Sequence, residues 1–71
     1  MDRQVVTSTN IHSVGYDPTT LTLEIQFRKT GDIYQYFDVP EHVHRGIMDA
    51  DSHGKYFHRY IRGSFSYNKI G

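Results

Sequence analysis

Apolar and polar residues alternate most regularly where Leu21, Leu23, Ile25 and Phe27 are separated by Thr22, Glu24 and Gln26. A period of two marks a strand with one face on a core and the other in solvent. Ile11–Tyr16 alternates in part, with His12, Val14 and Tyr16 on one side, and Ile33–Phe37 is β-prone. Asp17-Pro18-Thr19-Thr20 reads as the turn between the first two strands, because proline sets φ and the Asp carboxylate can bond the backbone ahead of it. Thr30-Gly31 reads as the second turn. Pairing Tyr16 with Leu21 places Val14 opposite Leu23 and His12 opposite Ile25. A two-residue Thr30-Gly31 loop pairs Lys29 with Asp32, Phe27 with Tyr34 and Ile25 with Tyr36. Opposed residues project to the same face, so this favoured register turns Tyr34 and Tyr36 inward. A loop one residue longer would turn both outward. Thr22, Glu24 and Gln26 are then expected on a polar, solvated outer face.

The period lengthens after Phe37. Asp38-Val39-Pro40-Glu41 has the form of a helix start, with Asp38 as cap and Glu41 completing a capping box. Val43, Ile47 and Ala50 follow at helical spacing. Ser52 reads as the cap of a second helix from about His53 to Arg62, and Gly63 as its stop. Gly46 inside the first helix suggests close packing of helix on sheet or a kink. Residues 1–10 form a polar arm, and residues 64–71 an aromatic tail expected to pack back as a short extended segment. The expected fold is α+β: a three-stranded antiparallel meander followed by two short helices packed on one sheet face, all within a single domain of residues 1–71.

The 71-residue length limits what such a fold can do. A chain this small buries only about 60% of its unfolded surface, which argues against a deep substrate cavity. Hydrophobic residues are 37% and aromatic residues 14% of the chain, so ten Tyr and Phe must supply much of the core. Cysteine is absent, which excludes disulfides and thiolate metal sites and fits a reducing compartment. No stretch nears the ~20 apolar residues of a membrane span, and no signal-peptide pattern is present. A cytoplasmic protein without membrane partners is expected.

The eight basic and eight acidic residues cancel, but they are not evenly spread. Residues 52–71 hold Lys55, Arg59, Arg62 and Lys69 and no acid, whereas residues 1–51 hold eight acids and four bases. Lys55, Arg59 and Arg62 stand at i, i+4 and i+7, a spacing that shares one helix face, with Tyr56 and Tyr60 beside it. Cations interleaved with aromatics can meet phosphates and stack on bases. The competing reading is an ordinary solvated helix face, with Arg45 and nearby acids in exposed pairs. Tyr34 and Tyr36 would serve as base-stacking platforms if exposed, and as core if buried. Arg28 and Lys29 could extend the surface if the fold brings them near. The five histidines lack the i, i+4 pairing of a helical metal site, so neither metal nor cofactor is expected. Asp51-Ser52-His53 lacks the spatial arrangement of a catalytic set, so neither an enzyme nor a small-molecule substrate is expected.

Several strings resemble the KTSC domain family: Ser8-Thr9-Asn10-Ile11-His12-Ser13-Val14-Gly15-Tyr16-Asp17, the Tyr34-Gln35-Tyr36 motif, Phe37-Asp38-Val39-Pro40, and Ala50-Asp51-Ser52-His53-Gly54-Lys55-Tyr56-Phe57 followed by Ile61-Arg62. The resemblance runs over roughly residues 7–70. His44 stands where the family pattern has Tyr, and His58 where it has Asn. The family is named for its presence at the C-terminus of some lysyl-tRNA synthetases and also occurs as small bacterial or phage proteins. The resemblance implies a small α+β module for which RNA binding has been suggested, and it supplies no catalytic residue. The leading expectation is a nucleic-acid-binding accessory module, most plausibly for RNA, using Lys55, Arg59, Arg62, Tyr56 and Tyr60, with Lys69 secondary. The rival is a protein–protein or self-association module docking on a larger assembly through Phe65 and Tyr67.

Overall fold

The structure is a computed structural model describing residues 1–71. Its sheet has five antiparallel strands in sequential order, β1 (Gln4–Val5), β2 (Ile11–Asp17), β3 (Thr22–Phe27), β4 (Ile33–Tyr36) and β5 (Tyr67–Lys69). The expected three-strand meander is its centre. The polar arm adds β1 at one edge, and the tail adds β5 at the other. Both strands are too short to show a period of two, so backbone pairing with β2 and β4, rather than local pattern, defines them.

Both hairpins pair two residues away from the expected register. Tyr16 lies opposite Leu23 and Asp17 opposite Thr22, because Leu21 leaves the strand for the turn, with φ 56°. Leu21 is therefore exposed and not part of the inner face. In the second hairpin Ile25 faces Tyr34 and Leu23 faces Tyr36. The loop is Arg28–Gly31, closed by Phe27 N–H to Asp32 O at 2.8 Å and Gly31 N–H to Phe27 O at 2.9 Å. Each shift is two residues, so every side chain keeps its face, and Tyr34 and Tyr36 do point inward. A bulge between Ile11 and Ser13 breaks the expected pattern of β2. One extra residue reverses the parity below it. Ile11 thus enters the core, 1% exposed, in place of His12.

Two helices cover the inner face. Helix α1 (Glu41–Asp49) buries Val43 and Ile47. Asp38 is not its cap: with φ 57° it makes the bend before the helix, and Pro40 occupies the cap position with no side-chain bond. Helix α2 (His53–Tyr56) starts as expected, its Ser52 Oγ accepting from Lys55 N–H at 3.2 Å. It then widens into a π-helical segment, Phe57–Ile61, ending where Arg62 N–H donates to Phe57 O at 2.9 Å. Gly63, with φ 79°, stops it. Gly46 packs helix on helix, not helix on sheet: a Cβ there would overlap the Tyr56 ring. The core is Val6, Ile11, Val14, Leu23, Ile25, Tyr36, Val39, Val43, Ile47, Phe57 and Ile61. No helix is long and apolar enough to cross a membrane.

The outer face is not solvated as expected. Glu24 is 4% and Thr22 8% exposed, and Gln26 is half-buried. Residues 1–3 lie over this face, where Arg3 bonds Glu24 and Gln26.

Candidate functional site

The inner face is only partly covered by the helices. Near the β3–β4 hairpin it opens into a cleft of about 480 Å³, within the roughly 300–1,000 Å³ span of small-ligand sites. Its bed is aromatic. Tyr34 and Tyr36 are near-parallel at 6.4 Å between ring centroids, and Tyr67 leans on both at 5.8 Å. Phe57 meets Tyr36 and Phe27 edge-on at 5.6 and 5.2 Å. These rings meet because Tyr34, Tyr36 and Tyr67 fall on one face of β4 and β5 while the π segment brings Phe57 down onto them. Tyr36 is 5% exposed and Tyr67 59%, so the bed grades from core to open surface. Burial, then the neighbouring phenols of Tyr34 and Tyr67, pushes the Tyr36 hydroxyl up to about 12, which keeps it a neutral donor.

The rim of the cleft is polar and cationic. Lys29, His58 and Arg62 line it, with Asn10, Thr30 and Asp32. Asp32 is paired with Lys69 at 3.5 Å. The other ion pair in the chain joins Arg3 to Glu24. Arg62, Lys55 and Arg59 are exposed and pair with no carboxylate, and the exposed pairs expected around Arg45 do not form. Arg62 sits 3.3 Å from His58 Nδ1.

The proposed helix face is divided by the π segment. An α-helix advances about 100° per residue, so one added residue in a turn re-aims everything after it. Arg62 consequently lines the cleft, whereas Lys55 and Arg59 lie outside it. Tyr56 is half-buried against Gly46. Tyr60 is 49% exposed, 4.6 Å from the Tyr56 ring and beneath the Arg59 guanidinium at 5.6 Å. Lys69 stands opposite Tyr34 on β5, where it pairs with Asp32 and does not extend the helix stripe. Of the two hairpin cations, Lys29 reaches the cleft. Arg28 instead ties the arm down, donating to Ser8 O at 2.9 Å and Val6 O at 3.1 Å.

Sequence reasoning missed His58, Asn10 and the cleft itself. The partial signal was the aromatic tail, expected to pack back onto the domain, which brings Tyr67 beside Tyr34 and Tyr36. The remaining histidines are dispersed. His44 stacks on Tyr16 at 4.8 Å, and His53 Nδ1 donates to Ile47 O at 2.6 Å. The Tyr16 hydroxyl donates to Val39 O at 2.5 Å.

Comparison with known proteins agrees with this architecture. The KTSC domain family matches residues 7–65. A crystal structure of a KTSC domain protein from Yersinia pestis superposes with a TM-score of 0.94 at 50% identity, covering 99% of this chain and 97% of that one. A lysine–tRNA ligase from Nostoc sp. is 43% identical over 60 residues, which is 84% of this chain and 10% of the ligase. An uncharacterized protein from Stutzerimonas stutzeri is 36% identical over 62 residues, 87% of this chain and 86% of that protein. The chain thus spans about a tenth of the ligase it matches and nearly the whole of the small protein.

Proposed function

Because the chain belongs to the KTSC domain family, a small module found both alone and within a ligase, we propose that it binds RNA through the aromatic cleft. The carrying observation is the union of a tyrosine bed with a cationic rim holding Arg62 and Lys29. An unpaired base stacks on the exposed faces of Tyr67 and Tyr34. Its phosphate meets Arg62 and Lys29, and the adjoining backbone runs towards Lys55 and Arg59. Asn10 and Thr30 offer hydrogen bonds to the base edge. Duplex RNA cannot present a base this way, so single strands are preferred. The Nostoc relative's name specifies a tRNA, an RNA, which supports this class of ligand. The protein acts as a binding module, not as an enzyme.

Fluorescence-anisotropy titration with single-stranded and duplex RNA at low and moderate salt tests this. Tighter binding to the single strand is expected. Tyr67→Ala should weaken it about tenfold, since stacking on an aromatic contributes ~1–3 kcal/mol per base. Neutralising Lys55, Arg59 and Arg62 together should abolish it. No binding at low salt would overturn the reading. A second reading, docking or self-association, rests on Tyr67, Val5 and Ile70, which are more than half exposed at or beside the edge strands. Concentration-dependent sedimentation without RNA binding would favour it.

A further inference from the structure

The opposite face of the sheet carries a second built site, independent of the cleft and of RNA. Ser13 on β2 and Glu24 and Gln26 on β3 converge there on the Arg3 guanidinium, and Gln35 on β4 holds Glu24 from the other side. Its Nε donates to Ser13 Oγ at 3.0 Å, one terminal nitrogen to a Glu24 carboxylate oxygen, and the other to Gln26 Oε1 at 3.3 Å. Gln35 Nε2 donates to the second Glu24 oxygen at 2.9 Å. Ser13 and Glu24 are 2% and 4% exposed. Burial works to raise the Glu24 pKa, but the bonds from Gln35 and Arg3 outweigh it, and the carboxyl titrates below its ordinary range. Three acceptors spread around a planar fork suit guanidinium and not the compact ammonium of lysine.

The backbone is shaped for the same occupant. A Cβ on Gly15 would lie 2.5 Å from Asp2 O and 3.1 Å from Arg3 Cγ, so glycine there leaves a path for a chain crossing the face. The four receptor side chains and Gly15 all lie within the family-matched span, residues 7–65, whereas Arg3 and β1 lie outside it. Both residues of β1 are exposed, and only two residue pairs join it to β2.

We propose that this face is an arginine-binding site for an extended peptide segment laid antiparallel to β2, and that residues 1–5 fill it as an internal ligand. A short tether gives the internal arginine an effective concentration in the millimolar range. The intact chain consequently excludes weak competitors, and losing the Arg3 side chain opens the site.

The test uses full-length Arg3→Ala with two probes. One is ethylguanidinium, with ethylammonium as control. The other is a blocked pentapeptide, Met-Asp-Arg-Gln-Val, with versions carrying Lys or Ala in third place. Arg3→Gln replaces Arg3→Ala if the latter is too unstable to measure. NMR shifts at Gly15 and the Gln35 side-chain amide, and the thermal midpoint, are followed. The guanidinium and Arg peptide are expected to shift these signals and raise the midpoint at concentrations at least tenfold lower than their controls. The wild-type chain and the Arg3→Ala/Glu24→Gln double variant should not respond. Equal responses to guanidinium and ammonium, or an undiminished response in the double variant, would overturn the assignment and leave Arg3 a local tie.

Discussion

His44 shows how one side chain's surroundings create a measurable property. Its ring lies nearly flat on Tyr16, and burial lowers its pKa although Glu41 pulls the other way. The unfolded chain therefore binds a proton at His44 more readily than the folded one. Stability is full above the ordinary histidine value of 6.5 and is lost as pH falls from there towards the lower folded value. His44→Tyr, which keeps an aromatic ring on Tyr16 without a group that titrates in this range, should remove this component. Urea midpoints between pH 7.5 and 5 would then fall less steeply than in the wild type, and an unchanged slope would contradict the assignment. Gly46 makes a related point. Its helical position was evident from spacing, but its use depends on the Tyr56 ring, ten residues away in sequence.

The hairpins divide into parts that pattern governs and parts that loop geometry governs. Alternation placed Leu23, Ile25, Tyr34 and Tyr36 on the correct face, because face depends only on parity. It misplaced both registers, because register depends on how many residues each loop takes. Two residues hold left-handed conformations in these loops, Leu21 at φ 56° and Gly31 at φ 75°. A side chain there costs roughly 1–2 kcal/mol. Gly31→Ala should thus destabilise the domain by about 1 kcal/mol. Leu21→Gly should be neutral or stabilising, since strain is released while an exposed side chain is lost. Chemical denaturation of the three proteins checks both signs. The π segment was beyond reach at this level. Phe57 and Ile61 stand four residues apart and are both buried, but an added residue in the turn leaves no compositional trace, and it is what sends Arg62 to the cleft.

The whole chain has a net charge of zero, yet its free cations gather at one end. With Arg3, Arg28 and Lys69 engaged within the fold, five cations remain unpaired; Arg45 lies on α1 and does not line the cleft, which leaves Lys29, Lys55, Arg59 and Arg62 for a polyanion there. A single strand neutralising three or four phosphates should give a slope of about −2 to −3 for log K against log salt. A slope near zero would mean that the cations do not meet phosphate. Removing Lys29 or Arg62 singly should make the slope shallower by about 0.7.

What could be read from the residues was everything that depends on short-range order: the α+β class, the central strands and their faces, the Ser52 cap, the Gly63 stop and the segregation of charge. These follow from period, propensity and turn chemistry within a few residues. The edge strands, the covered outer face, the bulge at His12 and the cleft required the tertiary structure. Each joins side chains or backbones far apart in sequence: Arg3 with Glu24, β5 with β4, Tyr67 with Tyr36, Arg62 with Lys29. Such meetings depend on how the whole sheet pairs and where the helices settle on it, and local hydrophobic pattern carries no record of either.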